Sequence, residues 1–243
     1  FLLFLGSKCY GQYRLSNYKN NDKDNLVKIQ KDVKRNDKDA IALSELLQQI
    51  SDLYEQHRAA DSTERTAIYQ QIDSLSGLAA KHTVSNEYDQ LLSGLGAQNT
   101  NAFTFLDRTV YMNDIPSNEL EKWLKLESER FSELVLRLFH TELETVYEEY
   151  NMTQTNDYRK VFQAMLQGLL PNHPYGTQST IGTGEHLKAP SMEKIHEFFD
   201  SYYVPNNMAI ILSGDFDPNE MAELVEQYWG KFKTKRLPKK SKS

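Results

Sequence analysis

Cysteine is nearly absent: Cys9 is the only one in 243 residues. A lone thiol excludes a disulfide framework and a thiolate zinc cluster, and with no predicted histidine partner it makes a poor nucleophile. Long apolar runs are missing as well. No stretch reaches the roughly 18–20 apolar residues that cross a bilayer, so no membrane span is expected. Positive charge is in deficit, with 28 Lys and Arg against 34 Asp and Glu and a formal net charge of −6. Phosphate recognition needs clustered cations, so no nucleic-acid partner is expected. Histidine is sparse in an informative way. The six are His57, His82, His140, His173, His186 and His196, and no two lie three or four apart. The paired imidazoles that one helical turn gives a catalytic zinc site are therefore lacking. Phosphate-binding G-x-x-x-x-G-K-[ST], dinucleotide-binding G-x-G-x-x-G and the G-x-S-x-G nucleophile elbow are absent too.

What is present changes character along the chain. "FLLFL" at the start resembles the end of a signal-peptide core without a basic segment or initiating Met before it. Residues 16–39 are dominated by Lys, Asn and Asp, too poor in apolar residues for a core-facing stripe. Residues 1–41 are therefore expected to be irregular or disordered. From Ala42 the spacing of Leu43, Leu46, Leu47, Ile50, Leu53 and Tyr54 is helical. Asp61 and Glu64 then sit in capping-box positions ahead of Ile68, Ile72 and Leu75, which predicts a helical hairpin over about 43–83. Ser85 or Asn86 caps a further short helix closed by Gly94 and Gly96.

"NAFTFLDRTVYMN" (101–113) shifts to strand composition, and Pro116 opens the next helix. From about Leu138 to Leu170 the pattern is one long helix or two abutting ones, followed by a Gly- and Pro-rich loop at 171–190. A helix–strand–helix unit spans about 191–232, with "NMAIILSGDF" as a short buried strand and Asp217–Pro218 starting the last helix. Residues 233–243 are a basic linker or tail. Helices and strands mix without a βαβ rhythm. The expected class is α+β, an antiparallel sheet flanked by helices, in one domain over 42–232.

"ELETVYEE" (142–149) raises the sharpest chemical question. Glu142, Val146 and Glu149 share one helical face, so two carboxylates flank an apolar residue. On spacing alone a solvated acidic face is the commoner outcome. His140 lies nine residues from Glu149, about two and a half turns, too far to share one metal ion. His173, in "NHPYG", suits capping better than ligation.

Several stretches together resemble the pitrilysin/insulinase (M16) family of zinc metallopeptidases. "ELETVYEE" is similar to that family's second metal motif, E-x-x-x-V-x-x-E, and "GAQNTNAFTFLDRTVY" to its strand pattern, G-A-x-x-N-A-x-T followed by T-x-Y. "NHPYG" and "YYVPNNMAIILSGDFDPNEM" resemble its later loop and its strand-plus-helix unit. The resemblance runs in order from about Leu46 to Phe232. It implies an α+β half-domain with an inserted helical hairpin, in which Glu149 is the third Zn²⁺ ligand and Glu142 a supporting carboxylate. It also implies that Asn101, Ala102 and Phe103 form an exposed edge strand on which extended peptide substrates pair.

The family's first motif, H-x-x-E-H, supplies two zinc ligands and the general base, and it belongs upstream of the hairpin. No histidine precedes His57. The expectation is a zinc-endopeptidase fragment that is inactive as written and holds no Zn²⁺. A non-catalytic peptide-binding or assembly subunit, paired with a second half-domain or homologous subunit, is the alternative. The retained Glu142 and Glu149 favour loss of the motif by truncation or a shifted frame over a purpose-made inactive subunit. The compartment is left open, leaning to an exported, periplasmic bacterial protein.

Overall fold

The computed structural model describes residues 37–83 and 86–238. The irregular segment expected over 1–41 lies outside the described residues as far as residue 36, and so does the part of the basic tail beyond residue 238. Helix α1 (Asp37–Ala59) begins ahead of Ala42. It pairs with α2 (Ser62–Ala80) as the expected hairpin. Asp61 is the hinge: its carboxylate accepts from the Thr63 and Glu64 N–H groups, satisfying two orphan donors of the first turn. Those hydrogen bonds hold the Asp61 carboxyl below its ordinary range.

Helix α3 (Glu87–Gly94) ends as expected, with Gly96 at φ +79°, a left-handed position that favours glycine. Of the two caps expected at its start, Ser85 lies outside the described residues and Asn86 does not cap. Asn86 adopts the left-handed conformation at φ 56° and makes no side-chain capping bond. Strands β1 (Gln98–Thr104) and β2 (Thr109–Asp114) form an antiparallel hairpin with Ala102 opposite Tyr111 and Phe103 opposite Val110. A register irregularity lies between Gln98 and Asn101, where Asn99 has φ 50°.

A 3₁₀ turn (Ser117–Glu119) leads into α4 (Leu120–Ser132). The region read as one or two helices is two: α5 (Phe139–Gln154) and α6 (Asp157–Leu169). Asn156 separates them, its side chain accepting from the Arg159 N–H as an N-cap. The loop expected at 171–190 contains two short helices, α7 (Pro174–Thr177) and α8 (Gly184–Lys188). Helix α9 (Met192–Tyr202) follows, and α10 (Pro218–Trp229) closes the fold on the expected Asp217 cap. The class is α+β, a helical body with a two-stranded antiparallel sheet among the described residues.

The buried strand expected over "NMAIILSGDF" (207–216) is not formed among the described residues. Met208 is extended (φ −125°, ψ 156°), yet no described strand offers it a ladder, and Ile211 is 87% exposed. Composition makes a strand only where a neighbour supplies hydrogen bonds.

The core joins the hairpin to α5. Tyr54 and Ile72 are fully buried, beside Phe139, Leu143 and Val146 of α5 and Leu187, Ile195 and Phe199 of α8 and α9. Arg130 anchors the other side of the fold. Its side chain is fully buried, its Nε donates to Glu127 Oε2 at 2.8 Å, and its guanidinium lies over the rings of Tyr88, Tyr111 and Phe131. Tyr88 in turn donates to Glu127 Oε1 at 2.7 Å. One cation thereby ties α3, β2 and α4 together. Glu127→Ala leaves that guanidinium buried without its carboxylate, and urea unfolding is expected to show a loss of about 3–5 kcal/mol.

Candidate functional site

Helix α5 carries the two glutamates because its sequence splits into two buried stripes. Phe139, His140 and Leu143 face the helical hairpin, while Glu142 and Val146 continue down an adjoining line to Glu149. Val146 is 1% exposed and Glu142 8%, so the apolar residue between the carboxylates is core and the first carboxylate goes in with it. Glu149, one turn further along, is half-buried. A merely solvated acidic face would expose all three. Glu144 and Glu148 do form the exposed side of the same helix.

What borders this stripe is short and close. Helix α8 packs against α5, and Gly184 at its start approaches Tyr150 so nearly that a Cβ there would stand 3.2 Å from the ring. His173 is not brought to the glutamates as a ligand; its Nδ1 accepts from the Tyr175 N–H at 3.2 Å and caps α7. His186 and His196 are exposed. His140 is buried but aims at the hairpin, its Nδ1 2.8 Å from the Tyr54 hydroxyl. Among the described residues no group of three His, Cys, Asp or Glu side chains is placed to hold a metal ion. The donor set on this face is carboxylate alone, which does not fit a catalytic zinc with three protein ligands.

The other sequence-selected residues lie on β1. Asn101 and Phe103 are exposed and Ala102 is half-buried. The Ala102 N–H donates to the Asn101 side-chain Oδ1 at 2.8 Å. That amide thus caps, from within the same strand, a backbone donor beside its own residue. Opposite it, Tyr111 fixes the strand pair to the body, with its hydroxyl 3.0 Å from that of Tyr203 and its ring edge-on to Phe131. Sequence reasoning did not find the Asn101–Ala102 contact or the Arg130 anchor. An Asn directly before a strand residue was the available signal for the first; a lone arginine in an amphipathic helix gives none for the second.

Known proteins of one family share sequence with this chain. Residues 191–243 match the family described as "Peptidase M16 inactive domain". An uncharacterised zinc protease of Mycobacterium leprae is 28% identical over 143 residues, covering 58% of this chain and 32% of that protein. The insulin-degrading enzyme of Bos taurus is 30% identical over 173 residues, covering 65% of this chain and 16% of that enzyme. These likenesses support an M16-family fragment. Its fold agrees. The first half of the periplasmic protease PqqL from Escherichia coli superposes with a TM-score of 0.57 at 22% identity, over 65% of this chain and 35% of that one. The chain thus spans between 16% and 35% of these M16 proteins. No helix among the described residues is long and apolar enough to cross a membrane.

The burial difference between the glutamates has a measurable consequence. Glu142→Ala removes a buried group and strands its surroundings, so urea unfolding is expected to lose about 1–3 kcal/mol. Glu149→Gln, at a half-open position, is expected to stay within about 0.5 kcal/mol of the parent.

Proposed function

We propose that this chain forms the carboxylate-bearing part of an M16-type zinc endopeptidase half-domain. In this reading Glu149 is the protein's contribution to the zinc ligands, and Glu142, about two turns back and buried, supports it by orienting its neighbours. The observation that carries the reading is the continuous stripe Glu142–Val146–Glu149, which runs from the core to a half-open position on one face of α5. Placing a carboxylate against the core costs desolvation energy that a solvated acidic face does not incur, and a cation at the stripe's open end offsets that cost.

Two imidazoles and a general base are what this donor set lacks. No step of peptide hydrolysis is assigned to the residues present, and the chain alone is read as inactive. The imidazoles and base would have to come from polypeptide other than this sequence, such as a second half-domain. Because PqqL is a periplasmic protease by its description, a periplasmic location is part of the same proposal.

The second reading, a non-catalytic peptide-binding module, draws on β1. The Ala102 N–H, held by the Asn101 amide, is a donor an incoming strand takes over by displacing one side-chain contact. Extended peptides are the ligand class under both readings.

One experiment addresses the peptide edge and the missing activity together. The purified chain is titrated with a fluorescent extended peptide, and the same mixture is followed for cleavage. Binding weakened at least several-fold by Ala102→Pro, with no cleavage, is the expected result, since Pro removes the strand donor. Cleavage by the isolated chain would overturn the inactive reading. Binding unaffected by the substitution would remove β1 as the peptide edge.

A further inference from the structure

Residues 208–213 have a strand's composition and a strand's side-chain alternation without a strand's partner. Met208, Ile210 and Leu212 are half-buried, while Ala209, Ile211 and Ser213 are exposed, a period of two. The inner set rests on the body, where Met208 packs against the core. Both ends are fixed. Ahead of the segment Val204 is buried, and the Asn207 side chain donates to the Tyr202 carbonyl at 2.9 Å. Behind it Asp217 caps α10, accepting from the Asn219 and Glu220 N–H groups. Yet among the described residues no main-chain hydrogen bond reaches residues 209–213. The segment holds out a preshaped row of donors and acceptors, and such a row is a template for another strand.

Charge decides what fits that row. From Val204 to Gly214 there is no charged residue, so a partner strand meets only apolar and small polar groups along the middle. The two ends differ. Asp215 is exposed just past the segment, followed by Asp217. At the opposite end the Asn206 amide grips the main chain of Lys235. Its Nδ2 donates to the Lys235 carbonyl at 2.9 Å, and its Oδ1 accepts from the Lys235 N–H at 3.2 Å. Lys235 Nζ donates to the Asp200 carbonyl at 3.1 Å, a main-chain contact that keeps its charge. A basic stretch, Lys233, Lys235 and Arg236, is thereby tied to the start of the segment. The segment is acidic at one end and basic at the other.

We propose that residues 208–213 pair antiparallel with the same residues of a second copy of this chain, joining two molecules through a β-ladder. A two-fold axis near Ile210 or Ile211 sets half-buried residues opposite half-buried ones and exposed opposite exposed. Both bodies then lie on one side of the joined strands. The same axis puts Asp215 opposite residues 205–207 of the second copy, beside the basic stretch held at Asn206, and it does so twice. A parallel pairing would instead align acid with acid and base with base. Ile211, 87% exposed in the single chain, gains Ala209 or Ile211 of the second copy as its neighbour. A foreign strand has to bring this charge gradient in reverse; an antiparallel copy brings it by symmetry.

The contact is small. One short strand a side buries well under the area of a standard interface, so a weak dimer in roughly the micromolar range is expected. A two-fold contact closes on itself, and assembly stops at two copies. The inference stands independently of the zinc reading, because it uses neither Glu142, Glu149 nor the edge of β1.

The test is sedimentation equilibrium of the purified full chain across the micromolar range, beside Asp215→Lys and Asp215→Lys/Lys235→Glu. Both positions are exposed, so neither substitution touches the core. The parent is expected to show a monomer–dimer equilibrium. Asp215→Lys should weaken the dimer about two- to thirtyfold, the range that two exposed ion pairs supply. The double variant should recover to within about threefold of the parent, since it restores opposite charges across the axis. A parent that stays monomeric at every concentration would overturn the proposal; an edge already taken by residues 1–36 of the same chain would give that result. Assembly beyond the dimer would overturn it too. So would a dimer indifferent to Asp215→Lys, since the copies would then meet on another surface, such as the exposed face of α6.

Discussion

A guanidinium with no exposed surface organises this molecule. Arg130 is held on one side by Glu127 and on the others by the faces of Tyr88, Tyr111 and Phe131. A two-stranded hairpin has little stability of its own in water and depends on what it packs against. Here β2 sits on the body through Tyr111, which touches Arg130, Phe131 and Tyr203 at once. The same helix α4 receives α10 on its other side, where Trp229 donates to the Leu124 carbonyl and stacks at a tilt on Phe131. Desolvating an arginine costs several kcal/mol, and only a paired carboxylate with aromatic faces around it makes that cost bearable. The outer edge of β1, the proposed peptide edge, is therefore positioned by an ion pair at a distance from it.

Helix α5 is the second constraint. It is wedged between the hairpin and the short helix α8, and it shows a different chemistry to each. Toward the hairpin it offers Phe139, edge-on to Tyr54 at 5.2 Å, and His140. Along the neighbouring line it offers Glu142, Val146 and Glu149. A helix that is buried on two sides cannot turn to hide its carboxylates in water, and this makes the stripe a feature of the fold as well as of the sequence. Helix α6 is the contrast. It buries no residue, and Tyr158, Val161, Met165 and Leu169 remain exposed.

The parts of the fold legible in the sequence are those governed by neighbours in the chain. The α1–α2 hairpin and the Asp61 and Asp217 caps arise from residues a few positions apart. What misled is non-local. "NMAIILSGDF" has the composition of a buried strand, but a strand needs a partner, and none of the described residues provides one. Asn86 looked like a cap by type and turned instead into the left-handed region, which asparagine tolerates well. Arg130 and His140 could not be found from spacing, because their partners are distant in sequence: Tyr88 and Tyr111 for one, Tyr54 and Asp73 for the other. For the candidate site, spacing put Glu142 and Glu149 on one face, and burial separates them. Their roles at a metal came from family resemblance, and remain a proposal about chemistry rather than a property of the spacing.

The central claim is that this chain brings one zinc-binding carboxylate and no imidazole pair. Its most direct test is the zinc content of the purified full chain after equilibrium dialysis, measured by atomic emission beside Glu149→Ala. The account predicts well under one zinc per chain, with no dependence on Glu149, because a single carboxylate cannot hold the ion unaided. One tightly bound zinc per chain, lost on Glu149→Ala, would contradict it.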